Sequence, residues 1–306
     1  MANPPADYWV TSLQFTPKTY QNNYPAIDPT NPDNSLAGKV VIITGASRGI
    51  GAKGIAPAFA KASPKGLVLV ATGASKLAKV EAEVKNLNPS VRTLAVPTDI
   101  SNAAAVDSLF STIKSTFGQH ADVLVINAAV NKGEAVIHHN DPEVWWSNFE
   151  VNTKGTFLLT RSFISSLPSP DTPAAIVNLT TMVSHKVLPM MTGYGISKLA
   201  AQQLIANIAA QNANITAVNV HPGLYDTDSL LDAFRVFNLD DPSLIGGTAV
   251  WLCANPERSK FLSGRVISAN WDVNGLQERK EEIVKEDLLV IDLKGKFGKE
   301  QFIVHQ

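Results

Sequence analysis

The sequence predicts an α/β fold, a doubly wound parallel sheet in a single domain, and three observations predict it. The first is Lys39 to Gly51, KVVIITGASRGIG, where an apolar β-branched run gives way to glycines and then to an Ala-rich helical pattern. The second is alternation. Apolar runs at 40–43, 67–71, 91–96, 122–127, 174–179, 215–220 and 265–268 are interleaved with helical patterns at about 50–62, 75–86, 102–117, 142–167, 192–212 and 243–254. That rhythm means right-handed βαβ crossovers and a sheet covered on both faces. The third is size and composition: 306 residues, 45% hydrophobic and 17% charged, supply a large core.

Each element has its own justification. Val40-Val41-Ile42-Ile43 is short and wholly apolar, as suits a strand buried on both faces. Gly45, Gly49 and Gly51 follow it at GxxxGxG spacing. Glycines let the main chain approach a ligand, and the first helical N–H groups attract anionic oxygens, so strand, turn and helix form a phosphate cradle. Asp141 can cap the helical pattern 142–167, with Pro142 at its first position. Pro57 falls inside the first helical pattern, where it removes a hydrogen bond, so a kink or an early end is expected there.

The flanks differ from this body. Residues 1–36 carry six prolines and no sustained periodicity. Tyr8, Trp9, Phe15, Tyr20 and Tyr24 are a heavy aromatic load for a solvated tail, so part of this extension should pack on the body. Residues 37–275 form the expected dinucleotide-binding catalytic domain. Residues 276–306 are charged and read as a solvated surface extension.

Composition excludes several functions. A net charge of −1 with no long basic run argues against nucleic-acid binding. The single cysteine, Cys253, allows no internal disulfide and suits a reducing compartment; in an apolar helix beside Trp251 it reads as a buried thiol. No uninterrupted apolar window is long enough for a membrane span, and MANPPADYWV lacks the features of a signal peptide. A soluble, cytoplasmic protein is expected. His138 and His139 have no third ligand at a fitting spacing, so no metal site is expected.

The chemistry centres on Tyr194 and Lys198 in YGISK, four residues apart and so on one face of the helical pattern 192–212. A tyrosine with a pKa of about 10 is a poor acid–base group at neutral pH. A neighbouring ammonium favours the phenolate and lowers that pKa.

Together with TGASRGIG, Asn127-Ala128-Ala129, Asn152 in VNTKGTF and His221-Pro222-Gly223, this pair makes the chain resemble the short-chain dehydrogenase/reductase family from about Ala37 to Asp272. The resemblance implies a single-domain Rossmann-type sheet of seven strands. It implies Tyr194 as the acid–base on the substrate oxygen, and Lys198 as the group that lowers its pKa and bonds the nicotinamide ribose. Asn152 would hold a water in the proton relay to Lys198, and Asn127 would shape the turn beside the cofactor. Asp99, with Ile100, would meet the adenine, and Thr227 in PGLYDT would bond the nicotinamide amide. Gly45, Ser47, Arg48, Gly49, Ile50, Gly51, Thr72, Pro222 and Gly223 complete the cofactor-binding set. One position departs: thirteen residues before the tyrosine, where the family usually has serine, stands Thr181. Threonine keeps the hydroxyl donor, while its methyl and stiffer χ1 narrow the pocket; Thr180 and Ser184 are nearby alternatives.

Cofactor choice follows from charge. A carboxylate about 20 residues after the glycines selects NAD by bonding the ribose diol. Here no Asp or Glu occurs from Ala52 to Val80, while Arg48 lies in the glycine loop and Lys76 and Lys79 follow the second strand. A guanidinium without the acid favours a 2′-phosphate, hence NADP(H) over NAD. The expected reaction is reduction of a carbonyl or oxidation of a secondary alcohol. A dehydratase or epimerase using the same fold and cofactor without net redox is an alternative, as is a nucleotide-sensing non-enzyme. Segments 130–140, 182–193 and 224–241 should set specificity for a hydrophobic small-molecule carbonyl or alcohol substrate. The helices at 142–167 and 192–212 resemble those of the family's dimer bundle, so a homodimer or homotetramer is expected.

Overall fold

The computed structural model describes residues 4–227, 230, 232–295 and 297–298. Seven strands, β1 (Val40–Thr44), β2 (Gly66–Ala71), β3 (Arg92–Pro97), β4 (Val123–Ile126), β5 (Ala174–Leu179), β6 (Ile215–His221) and β7 (Val266–Ser268), form one sheet. Every pairing is parallel and the order is β3-β2-β1-β4-β5-β6-β7. Strand order reverses between β1 and β4, and ligands of such sheets bind outside the C-terminal strand ends at that switch point.

The helices, in chain order, are a short arm helix α1 (Tyr8–Thr11), α2 (Ala56–Lys61), α3 (Ala74–Leu87), α4 (Ala103–Phe117), α5 (Pro142–Phe149), α6 (Thr156–Ser166), α7 (Thr192–Gln211) and α8 (Pro242–Ala254). After them come α9 (Pro256–Ser259), α10 (Val273–Glu278) and α11 (Lys280–Lys285). Alternate strand residues feed two cores. Val41 and Ile43 pack with Phe59 of α2, Leu77 of α3 and Leu244 of α8. Val40 and Ile42 pack with Ile113 of α4, Phe163 of α6 and Ile205 of α7. Covering both faces is what makes these strands read as unbroken apolar runs.

The cap expected at Asp141 forms. Asp141 accepts from Glu143 N and Val144 N at the start of α5. Gly118, at φ +70°, ends α4. Two wide π turns were not foreseen. Gly51–Ile55 leads directly into α2, with Ala56 N–H reaching Gly51 O. This turn sits immediately before Pro57, and the helix neither ends nor breaks there but runs on to Lys61. The expected disruption is thus displaced one turn N-terminal, where i→i+5 bonding absorbs the misfit. The second π turn, Glu150–Gly155, joins α5 to α6 and contains Asn152.

The N-terminal arm packs on the body, with Tyr24, Ile27 and Leu36 in the first core. Tyr20 stacks on Tyr24 at 3.7 Å, and Trp271 Nε1 donates to Leu13 O at 2.8 Å. At the other end Ile283 is buried and Val266 N bonds Leu289 O, whereas residues 290–295 are exposed. Among the described residues no helix is long and apolar enough to cross a membrane.

Candidate active site

The nucleotide end of the site is main chain laced together by two side chains, Thr44 and Asn127. Thr44, the last residue of β1, donates to Val125 O and accepts Asn127 N and Ala128 N at 3.1 and 3.2 Å. Asn127 Nδ2 returns bonds to Thr44 O (3.1 Å) and Gly45 O (3.0 Å). β1 and β4 are thereby laced together at their C-terminal ends. A Cβ on Gly45 would lie 2.7 Å from Asn127 Nδ2, and one on Gly51 only 2.2 Å from Gly45 O. Gly49 takes φ +55°, the left-handed region that favours glycine. Ser47 and Ile50 are half-buried, and Arg48 is exposed on the rim of this turn.

Thr72 is exposed at the end of β2, and Lys76 and Lys79 are exposed along α3. Asp99, after β3, is exposed, and its Oδ1 accepts from Ser101 N and Ser101 Oγ at 2.9 and 2.7 Å. The Ile100 side chain lies in the core, close to Gly155, so Ile100 can meet a nucleotide only through its main chain. A cradle emptied of side chains at Gly45, Gly49 and Gly51, beside exposed ends of β2 and β3, fits an extended dinucleotide.

The catalytic candidates converge at the end of β5. Tyr194 and Lys198 lie in the first two turns of α7. Lys198 Nζ is buried and donates to Leu179 O at 2.7 Å. The Tyr194 phenol is pushed up to about 12 by burial, opposed by a hydrogen bond from the Thr181 hydroxyl. Burial likewise pulls Lys198 down to about 8. The ammonium expected to depress the phenol is directed at a carbonyl, and Thr181 is the side chain that favours the phenolate. Thr181 Oγ1 also accepts Val183 N at 3.3 Å, which fixes the rotamer.

The alternatives to Thr181 are occupied or turned inward. The Ser184 hydroxyl bonds Thr181 O and lies 3.1 Å from His185 Nδ1. Thr180 is buried, with no partner for its hydroxyl among the described residues. Asn152, buried in its π turn, accepts Val130 N and donates to Val130 O, both at 2.9 Å, and donates to Ser197 Oγ at 3.0 Å. Its amide thus pins the loop after β4 to α7, and both of its N–H groups are used by protein partners.

At the β6 end Gly223 takes φ +104°, and a Cβ there would sit 2.2 Å from Asp240 Oδ2. Leu224 N donates to that oxygen at 2.8 Å, and Asn270 Nδ2 donates to Asp240 Oδ1 at 2.8 Å. Burial raises the Asp240 carboxyl to about 6. Pro222 is half-buried beside it, and Thr227 returns to the glycine turn, its Cγ2 3.5 Å from where a Gly49 Cβ would stand. His221, preceding this turn, is a neutral core histidine pushed down to about 3 by burial.

Four contributors were not singled out from sequence: Thr44, Asn148, Ser197 and Asp240. Asn148 grips Lys132 N and O at 3.1 and 3.0 Å, one helical turn before Asn152 does the same to Val130. Two asparagines at i and i+4 were a readable signal. Ser197 stands inside YGISK, and its hydroxyl joins Asn152 to Tyr194 O. Asp240 had none, because it acts across sixteen residues on Leu224. His138 and His139 are exposed, and no cluster of metal-ligating side chains occurs among the described residues. Cys253 is buried, its thiol raised to about 12.

Fold and site together define a dinucleotide-fold protein with a tyrosine–lysine pair beside the end of β5. The family model described as short chain dehydrogenase matches residues 39–235. The short chain dehydrogenase mpl6 of Monascus purpureus is 33% identical over 301 residues, covering 96% of this chain and 99% of its own length. The short chain dehydrogenase pigC of Monascus ruber is 32% identical over 303 residues, with 94% of each chain covered. Among solved structures, L-sorbose reductase from Gluconobacter frateurii, complexed with NADPH and L-sorbose, superposes with a TM-score of 0.69 at 25% identity, over 77% of this chain and 96% of that one. The chain belongs to the short-chain dehydrogenase/reductase family, and is an oxidoreductase of that family for which a nicotinamide cofactor is implied.

Proposed function

We propose that this protein is an NADP(H)-dependent oxidoreductase that reduces a carbonyl or oxidises a secondary alcohol, with Tyr194 as the acid–base. The observation that carries the reading is that the end of β5 gathers Leu179 O, which takes Lys198 Nζ, and Thr181, whose hydroxyl acts on the Tyr194 phenol. The nicotinamide would supply or accept the hydride. A phenol held near 12 is in its acid form at neutral pH, the form that a carbonyl reduction uses. With substrate bound, the Thr181 hydroxyl would turn its one donor hydrogen from the phenol to the substrate oxygen and stabilise the charge that develops there. Lys198 would turn from Leu179 O to bond the nicotinamide ribose and lend charge to the phenolate, and Asn152 would keep the loop after β4 in place on the substrate side.

The glycine turn, Ser47, Ile50, Asn127 and the ends of β2 and β3 would hold the dinucleotide, and Pro222, Gly223 and Thr227 its nicotinamide end. Arg48 and the lack of an acid after β2 favour the 2′-phosphate, and a relative solved with NADPH agrees with that choice. Residues 37–275 act as the catalytic unit, with 1–36 and 276–306 as extensions. Trp146, Phe157 and Ile196 are exposed apolar side chains on α5, α6 and α7, and they support a homodimer or homotetramer. A hydrophobic small-molecule carbonyl or alcohol is the substrate class, and the cytoplasm the expected location.

The test is NADPH oxidation against ketones of graded size, from small to polycyclic, with product quantified. One NADPH consumed per alcohol formed supports the reading. Product formed without net NADPH consumption would place the protein with the dehydratases or epimerases.

A further inference from the structure

The N-terminal arm does more than cover the core. Trp9 packs on both Phe234 and Phe237, with ring centroids 5.6 and 6.0 Å away and an edge-to-face angle of 80° to the second. Tyr8 lies 6.5 Å from Phe237, and Asn238 N donates to Ala6 O at 2.8 Å. Farther along the arm, Asn270 Nδ2 donates to Tyr20 O at 2.9 Å and to Asp240 Oδ1 at 2.8 Å, and Asp241 N donates to Gln21 O at 2.8 Å. The arm therefore grips the return half of the post-β6 segment, residues 232–240, at both ends.

That segment is otherwise thinly held. Residues 232–239 are exposed or half-buried, and Val236 is 74% exposed. Its polar ties run to the site. Arg235 bonds Asp226, the neighbour of Thr227, and Asp240 holds Leu224 next to Gly223. Moving Phe234 and Phe237 would therefore move Arg235, and with it the stretch beside Thr227 and the glycine turn. Trp9 Nε1 is buried with no hydrogen-bond partner among the described residues, so ring packing rather than a polar bond holds the indole.

We propose that Trp9, with Tyr8, is a positioning residue of the substrate side: it fixes residues 232–240 against the body and so sets the size of carbonyl substrate accepted. The specificity half of this rests on the carbonyl-reductase reading above; the positioning half does not.

The test uses the full chain and two readouts. Amide hydrogen exchange follows residues 232–240, and KM values for small and polycyclic ketones are compared at saturating NADPH. Losing two aromatic contacts corresponds to about tenfold in a local opening equilibrium. Trp9→Ala should therefore speed exchange of 232–240 about tenfold and change the ratio of KM between bulky and small ketones, leaving KM for NADPH unchanged. Trp9→Phe keeps the ring packing and should restore both. Phe15→Ala is the control: Phe15 docks on Trp271, 5.2 Å away, and should leave 232–240 as in the parent. If Trp9→Ala does not fold, Phe234→Ala removes the same contact from the exposed side. Unchanged exchange in Trp9→Ala or Phe234→Ala overturns the proposal, as does faster exchange with an unchanged KM ratio. A parent inactive on every ketone would sink the functional reading and the specificity with it, while unchanged exchange in an active parent sinks this proposal alone.

Discussion

Between β1 and β4 the site is held by two side chains, Thr44 and Asn127, bonding main chain across closely packed strand ends, whereas beyond β6 it is held by carboxylate, amide and aromatic side chains that reach the N-terminal arm. In the first region Thr44, Gly45, Gly51 and Asn127 lock two adjacent strand ends, and missing side chains are what let them approach. In the second, Asp240 and Asn270 tie Leu224 to the arm, and Trp9 supplies apolar contact that the segment lacks. Close backbone packing makes a rigid cradle for an invariant ligand. Contacts borrowed from elsewhere leave the substrate side free to vary without disturbing the cradle.

The largest effects should come from the strand end between these regions. Tyr194→Phe removes the proton source and should lower kcat by about 10³–10⁴, the upper part of the range for a lost general acid. Thr181→Ala removes one donor to the developing oxyanion and should lower kcat by about 10²–10³, with NADPH affinity nearly unchanged. Thr181→Ser should keep most activity. A Thr181→Ala enzyme as fast as the parent would place the donor elsewhere.

Next comes the cradle. Gly51→Ala puts a Cβ 2.2 Å from Gly45 O, a contact that the main chain must yield to. Overpacking of this kind costs about 1–3 kcal/mol, so thermal unfolding should show a clear loss of stability, accompanied by weaker NADPH binding. Parent-like Tm and affinity would mean that the turn is softer than its geometry indicates. Arg48→Ala tests the rim instead. Loss of one charge-assisted bond, about 1.5–3 kcal/mol, should lower the NADPH-over-NADH preference by at least tenfold while sparing NADH. An unchanged ratio of kcat/KM for the two cofactors would contradict the role given to Arg48.

How much was readable follows the same division. The strands, their alternation with helices and the glycine cradle were legible because each is local: periodicity, β-branching and glycine spacing act within about a dozen residues. Tyr194 and Lys198 were legible for the same reason, standing one turn apart. The direction of Lys198 was not, since Leu179 O lies nineteen residues away and only the fold brings it within 2.7 Å. The two π turns escaped because a wide turn leaves the apolar period almost intact. The grip of the arm on residues 232–240 was hidden too: aromatic content showed that the arm packs, but not on what.

A smaller effect concerns pH. Burial pulls Lys198 down to about 8 from its ordinary 10.5, so its ammonium is present below that pH and lost as pH rises through it. If the charge serves Tyr194, kcat/KM for reduction should fall above about pH 8, and Lys198→Arg, which stays charged, should push that limb upward. Stability moves the other way. Between about 8 and 10.5 the unfolded chain holds more protons at this group than the folded one, so its contribution to stability rises with pH over that window. A flat activity profile from pH 7 to 10 would argue against a catalytic ammonium.

The central claim is hydride transfer at a carbonyl carbon with the proton supplied by the protein. Its most direct test is isotopic: the enzyme is given NADPH deuterated at the transferred position together with a ketone that it reduces, in ordinary water. The account predicts an alcohol with one deuterium on its carbinol carbon and one oxidised cofactor per product. Product that carries no deuterium, formed while the cofactor stays reduced, would contradict it.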